Sequence, residues 1–123
     1  MTLVLREDDY VIFECSELDT NIFFEEDIIS VVKNDRGFTV ICSEKFLPED
    51  ANKVSRGWVM FEPVYVPEID IYSVVYTVAG RLAESEISAM VINEWEGVCL
   101  LVKKEDARQA INIMVNSGLG IAE

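Results

Sequence analysis

Asp70-Ile71-Tyr72-Ser73-Val74-Val75-Tyr76-Thr77-Val78-Ala79-Gly80-Arg81-Leu82 is the stretch on which the fold turns. Its apolar residues Ile71, Val74, Val75, Val78 and Leu82 recur at i, i+3, i+4, i+7 and i+11, a one-sided stripe at helical period. Asp70 in front of them predicts an N-cap, and Pro67-Glu68-Ile69 a turn into the helix. Upstream, residues 58–66 read as extended, with Pro63 marking an edge or a bulge. Downstream, residues 87–92 read as a strand and Asn93-Glu94-Trp95-Glu96-Gly97 as a hairpin loop. Val98-Cys99-Leu100-Leu101-Val102 is apolar on both faces, the pattern of a central buried strand. Glu105 and Asp106 open a second helix, where they suit the N-terminal dipole. Its expected buried face is Ala107, Ile111, Met114 and Val115, and Gly118 is its C′ residue. Residues 119–122 offer one short final strand. The order β-α-β-β-α-(β) predicts an α+β fold, the ferredoxin-like split βαβ with an antiparallel sheet and both helices on one face.

Working toward the N-terminus, the pattern weakens. Thr2–Leu5 and Tyr10–Cys15 are apolar runs separated by Arg6-Glu7-Asp8-Asp9 and read as a hairpin. Residues 16–27 are polar and acidic with Phe23-Phe24 embedded; Glu25-Glu26-Asp27 beside them reads as a solvated run or a partner-docking patch. Ile28-Ile29-Ser30-Val31-Val32 and Phe38-Thr39-Val40-Ile41-Cys42 flank Asn34-Asp35-Arg36-Gly37, a strong turn signal. Pro48-Glu49-Asp50 suits the first turn of a short helix. Residues 1–57 therefore form a reduced unit without full-length helices, residues 58–123 a more complete one, and residues 51–57 the link.

The 123 residues carry 10 basic and 23 acidic side chains, net −13, and no histidine. That field argues against a nucleic-acid or anionic-membrane partner. The missing histidine removes Ser-His-Asp and Cys-His nucleophile systems and His-ligated zinc. Cys15, Cys42 and Cys99 are too widely spaced for a metal cluster and read as small apolar residues of a reducing cytosol. There is no secretory leader pattern and no apolar run near the ~18 residues of a membrane span. The expectation is a soluble, cytoplasmic protein with no catalytic residues, no metal and no cofactor.

Four stretches carry a family resemblance: Phe38-Thr39-Val40-Ile41-Cys42-Ser43-Glu44, Gly57-Trp58, Leu82-Ala83-Glu84-Ser85-Glu86-Ile87-Ser88 and Leu100-Leu101-Val102-Lys103-Lys104-Glu105-Asp106. In their order and spacing the chain resembles the small amino-acid-binding proteins built of two ACT units, a group related to cytosolic arginine sensors. The resemblance implies tandem ferredoxin-like ACT units and a regulatory role without catalysis. It also implies an amino acid or similar small effector held between units, by the loop leading into the first helix and by strand residues of a neighbour. On this chain the implied ligand-binding residues are Glu68, Ile69, Asp70, Ile71 and Ser73, facing Asn93, Glu94 and Gly97. Since each site needs a neighbour, a homodimer is expected, together with a protein partner that reads the ligand-dependent arrangement.

The residues themselves admit blander readings. Glu68 and Asp70 are either an acidic pair for an ammonium group, with helix N–H groups for a carboxylate, or a solvated acid and an N-cap. Asn93, Glu94 and Glu96 either contact a ligand or close a hairpin. Trp95 is a binding anchor or caps the end of the core, and Tyr72 and Tyr76 form an interface rim or ordinary packing. Ser73 stands where the family has glycine, and Val98 where it has aspartate. These departures favour the alternative, a protein-interaction or structural module that has lost its ligand.

Overall fold

The computed structural model describes residues 1–21 and 28–123, so the Phe23–Asp27 docking patch lies outside the described residues. The chain forms two compact units, one of Met1–Glu7 with Trp58–Glu123 and one of Asp8–Gly57.

In the first unit, strand β1 (Thr2–Leu5) sits between the later part of β5 (Asn52–Pro63), to which it is antiparallel, and β8 (Gly120–Ala122), to which it is parallel. β7 (Gly97–Lys103) pairs antiparallel with β5 on one side and β6 (Ala89–Glu94) on the other. The order across this unit is β6-β7-β5-β1-β8. Helix α1 (Ile71–Glu84) connects β5 to β6, and α2 (Ala107–Asn116) connects β7 to β8. This is the expected split βαβ, with β1 added between β5 and β8.

The hairpin expected of β1 and β2 (Tyr10–Cys15) does not form: both edges of β1 are occupied by β5 and β8. The reason lies in the core. Leu3 is 1% exposed and packs with Phe61, Leu100 and Met114, an apolar site that a hairpin with β2 would not provide. The first seven residues therefore group with residues 58–123 rather than with residues 8–57. Residues 52–57, read as a link, are the start of β5.

Both helices cover one face of the sheet. Ile71, Val75, Val78 and Leu82 of α1 and Ala110 and Met114 of α2 pack on Leu3, Val59, Phe61, Val98, Leu100 and Val102. Val74 of the expected stripe is half-buried at its margin. Cys99 and Leu101, on the opposite face of β7, are also buried, as its two-sided apolar pattern requires. On α2 the burial differs from expectation: Ala110 is buried, while Val115 is 52% exposed. A 3-10 turn over Lys104–Asp106 precedes α2, so Glu105 and Asp106 lie just ahead of it.

Each helix ends in a Schellman arrangement. Gly118 N–H donates to Val115 O (3.0 Å) and Leu119 N–H to Met114 O (3.0 Å), with Gly118 at φ 94°. At α1, Glu86 N–H donates to Ala83 O (3.0 Å) and Ile87 N–H to Leu82 O (2.9 Å). Here the left-handed residue is Glu86, at φ 61°. Ile87, expected to begin a strand, is instead the buried residue closing this cap, and β6 starts at Ala89.

In the second unit β4 (Gly37–Ser43) lies between β2 and β3 (Ile28–Asn34), antiparallel to both. The expected turn forms: Asn34 pairs with Gly37, and Arg36 N–H donates to Asn34 Oδ1 at 2.8 Å. Gly37 has φ 128°, and a Cβ there would stand 2.3 Å from the Cys15 carbonyl oxygen, so no larger residue fits. Val11, Phe13, Val40 and Cys42 are buried together, with Val54 packed against them. The short helix expected at Pro48 is a single turn, closed by Ala51 N–H on Pro48 O (3.2 Å); the 3-10 helix falls earlier, at Glu44–Phe46. Among the described residues of this unit there is no α-helix.

Candidate functional site

The start of α1 is built by Asp70. Its extended backbone (φ −78°, ψ 95°) turns the carboxylate back over the first helical turn. Oδ1 accepts from Tyr72 N–H (3.1 Å) and Ser73 N–H (3.2 Å), and Ser73 Oγ donates to Oδ2 at 2.8 Å. The Ser73 hydroxyl, then the Ser73 and Tyr72 backbone N–H groups, hold the Asp70 carboxyl below the ordinary carboxylate range. Two of the backbone donors that a ligand carboxylate would use at this helix end are thus taken by the protein itself.

Opposite lies the β6–β7 hairpin. Glu94 pairs with Gly97, leaving Trp95 and Glu96 as a two-residue turn. The Tyr72 hydroxyl reaches across and donates between Glu94 O (2.8 Å) and Trp95 O (2.9 Å). One helical turn on, Asn93 Nδ2 donates to Tyr76 Oη at 2.6 Å. The two tyrosines, one turn apart, therefore clamp the helix start to the hairpin. The sequence shows their spacing; it does not show that their hydroxyls close this seam.

A cavity of about 210 Å³ lies at this seam, lined among others by Glu62, Tyr65, Ile71, Glu94, Glu96 and Gly97. A Cβ on Gly97 would approach Glu94 Oε2 to 3.1 Å. Ile71, Glu94 and Gly97 of the expected set come together here. Ile69 and Ser73 line a different cavity, of about 390 Å³. Glu68, Asp70 and Asn93 line neither of the two. Glu62, at the end of β5, and Tyr65, just past it, were missed because the approach of β5 to the hairpin strand β7 is a long-range pairing. Glu62 is held in turn by Arg6 across the β1–β5 pair. Trp95 is 93% exposed and does not cap the core: the two-residue turn carries it outward.

Among the described residues, no group of three or more Cys, Asp or Glu side chains stands at metal-binding geometry. No buried side-chain nitrogen or oxygen there lacks a partner. Burial pushes the Cys42 thiol up to about 11 and the Cys99 thiol up to about 12, which keeps both as inert thiols at neutral pH. No described helix is long and apolar enough to cross a membrane.

No protein-family model and no curated protein matches the chain. Solved structures do resemble it. A crystal structure of a protein from Agobacterium tumefaciens aligns with a TM-score of 0.80 at 22% identity, over 98% of this chain and 90% of that one. A putative C-terminal regulatory domain of aspartate kinase from Porphyromonas gingivalis W83 aligns at a TM-score of 0.60 and 15% identity, over 94% of each chain. Escherichia coli aspartokinase III, in complex with aspartate and ADP, aligns at 0.57 and 15% identity, over 93% of this chain and 32% of that one. Taken with the βαββαβ order of the first unit, the likeness gives the fold: α+β, ferredoxin-like, of the ACT type seen in aspartokinase regulatory domains.

Proposed function

We propose that the chain is a non-catalytic regulatory module that binds an amino acid where the start of α1 faces the β6–β7 hairpin. Ligand binding shifts the population between two arrangements, and a partner protein reads the shift. The observation that carries this reading is the Tyr72 bridge to Glu94 and Trp95 beside a cavity of about 210 Å³ lined by Ile71, Glu94 and Gly97. Anything that enters the cavity bears on the contact between helix and hairpin. The likeness to a regulatory domain of aspartate kinase, and to an aspartokinase solved with aspartate, supports the same class of function.

Within this proposal the expected residues divide their work. Asp70 and Ser73 fix the helix start, Glu68 and Ile69 shape the turn before it, and Asn93 anchors the hairpin through Tyr76. Ile71, Glu94 and Gly97 face the ligand, with Glu62 and Glu96 beside them. Carboxylates around the cavity and a net charge of −13 oppose a second ligand carboxylate. Neutral and cationic amino acids are therefore preferred over aspartate and glutamate. A twofold homodimer belongs to the proposal. Its assembly strengthens with salt as the negative field is screened, and sedimentation giving only a ~14 kDa species in moderate salt would overturn it.

The test is a melting screen of all twenty amino acids at millimolar concentration. A ligand at about 100 times its dissociation constant stabilises the fold by about 2.7 kcal/mol, and Glu94→Gln with Glu96→Gln reduces the shift. If no amino acid raises the melting temperature, the second reading stands, a protein-interaction module. Two observations favour that one: Asp70 is engaged within its own helix start, and Trp95 is 93% exposed at the hairpin tip.

A further inference from the structure

On the other flank of α1 an open groove of about 390 Å³ runs beside the end of α2, within the size range of small-molecule sites. Its apolar wall includes Ile69, Val74, Val78 and Leu119. Its hydroxyl protons are already committed. Ser73 Oγ donates to Asp70, Thr77 Oγ1 to Ser73 O at 2.8 Å, and Ser117 Oγ to Ile113 O at 2.8 Å. Arg81 differs. One guanidinium N–H is spent on Ser117 Oγ at 3.1 Å, which fixes the group at the rim, and its other donors remain. Arg6, Arg36 and Arg56 each pair with a glutamate, whereas Arg81, like Arg108 on α2, has no carboxylate within ion-pair reach among the described residues.

We propose that this groove binds an amphiphilic monocarboxylate, with the carboxylate on Arg81 and the hydrocarbon body along Ile69, Val74 and Val78. The charge balance selects this chemistry. In a chain of net charge −13 a bare anion is repelled, so the apolar body supplies the missing affinity. Asp70, bonded to Ser73 at the far end of the groove, disfavours a second carboxylate there. From Ser73 to Arg81 the helix rises about 12 Å, which suits a chain of about eight carbons. This inference does not rest on the amino-acid reading, whose cavity has different walls.

The test is titration calorimetry of the full chain with octanoate, 1-octanol and octylamine, all below their aggregation concentrations. Octanoate binds saturably at one site, octanol about tenfold or more weaker for loss of the charged hydrogen bonds, and octylamine not at all. Arg81→Gln brings octanoate to the level of octanol, while Arg81→Lys, which keeps the charge but not the fork, falls between. Thr77→Trp, which fills the groove, removes binding of both. Absence of saturable octanoate binding to the unaltered chain overturns the proposal, as does equal binding of octanol, or octanoate binding that Arg81→Gln leaves unchanged. None of these outcomes depends on the amino-acid screen.

Discussion

The two units use the same strand chemistry and hold themselves together differently. In the first, α1 and α2 cover a sheet face, and the buried cluster draws on β1, β5, β7 and both helices. In the second, the corresponding buried cluster is Val11, Phe13, Val40 and Cys42, from two neighbouring strands. What accompanies it is backbone and charge chemistry: the Asn34–Gly37 turn, and Glu14 bound by Arg36 and Lys53. Lost side-chain volume strikes the first unit hardest, and altered backbone or charge the second.

The largest effect expected is from Leu82→Ala. Leu82 is fully buried on α1, and its carbonyl also accepts from Ile87 in the helix cap. Truncation leaves a cavity under the helix and costs about 3 to 4 kcal/mol, read by urea unfolding with the buried Trp58 as reporter. Val40→Ala removes less volume from a smaller cluster and is expected to cost about 2 kcal/mol. Equal costs would break the comparison between the units. Next is Gly37→Ala, which sets a Cβ against the Cys15 carbonyl at a φ of 128°. A loss of about 2 kcal/mol is expected, with amide exchange accelerated first in β2, β3 and β4. Acceleration first in α1 or α2 would contradict the division.

Smaller and opposite in sign is Glu86→Gly. Glu86 occupies the left-handed position that glycine holds at Gly118 in the equivalent cap of α2. Relief of that strain stabilises the first unit by up to about 1 kcal/mol, visible as a rise in melting temperature.

Local chemistry was legible in the sequence. The α1 stripe, the Asp70 cap, the two-sided burial of β7 and the Asn34–Gly37 turn each depend on residues within a few positions of one another, and each is present. The partners of β1 were not legible. A short polar turn looks the same whether the strands around it pair together or part to different neighbours, and the burial of Leu3 in one cluster with Phe61 and Met114 decides the matter over long sequence distances. On α2, Ala110 and Val115 exchanged roles because helical period places a face only to within a residue or so, and alanine carries too weak a signal to correct it. At the site, Ile71, Glu94 and Gly97 of the expected set line one cavity, whereas Asp70 does not. The commitment of Asp70 to its own helix was not legible, because a capping carboxylate and a ligand-binding one share a position in the sequence.

The smallest effect separates the units by the origin of one shared property. Glu14 in the second unit and Asp70 in the first both have carboxyl groups held below their ordinary values of 4.5 and 3.8. For Glu14 the main cause is the Arg36 guanidinium, joined by the Lys53 ammonium; for Asp70 it is the Ser73 hydroxyl and neutral backbone N–H groups. With the folded value depressed, each group's stabilisation is fully present above its unfolded value. It is lost as pH falls through the folded one, below about 4.5 for Glu14 and below about 3.8 for Asp70. Salt then tells them apart. Asp70 is exposed and Glu14 half-buried, and ion pairs near a surface are screened at molar ionic strength, whereas short hydrogen bonds from neutral donors are not. In a carboxyl-selective NMR titration, raising NaCl to ~1 M, where the screening length falls to about 3 Å, moves Glu14 back toward 4.5 and leaves Asp70 low. Parallel movement of the two would mean that Asp70 answers to the field of nearby charges rather than to Ser73. The contrast between a charge-held and a hydrogen-bonded unit would then fail at the position where it bears most directly on the proposed site.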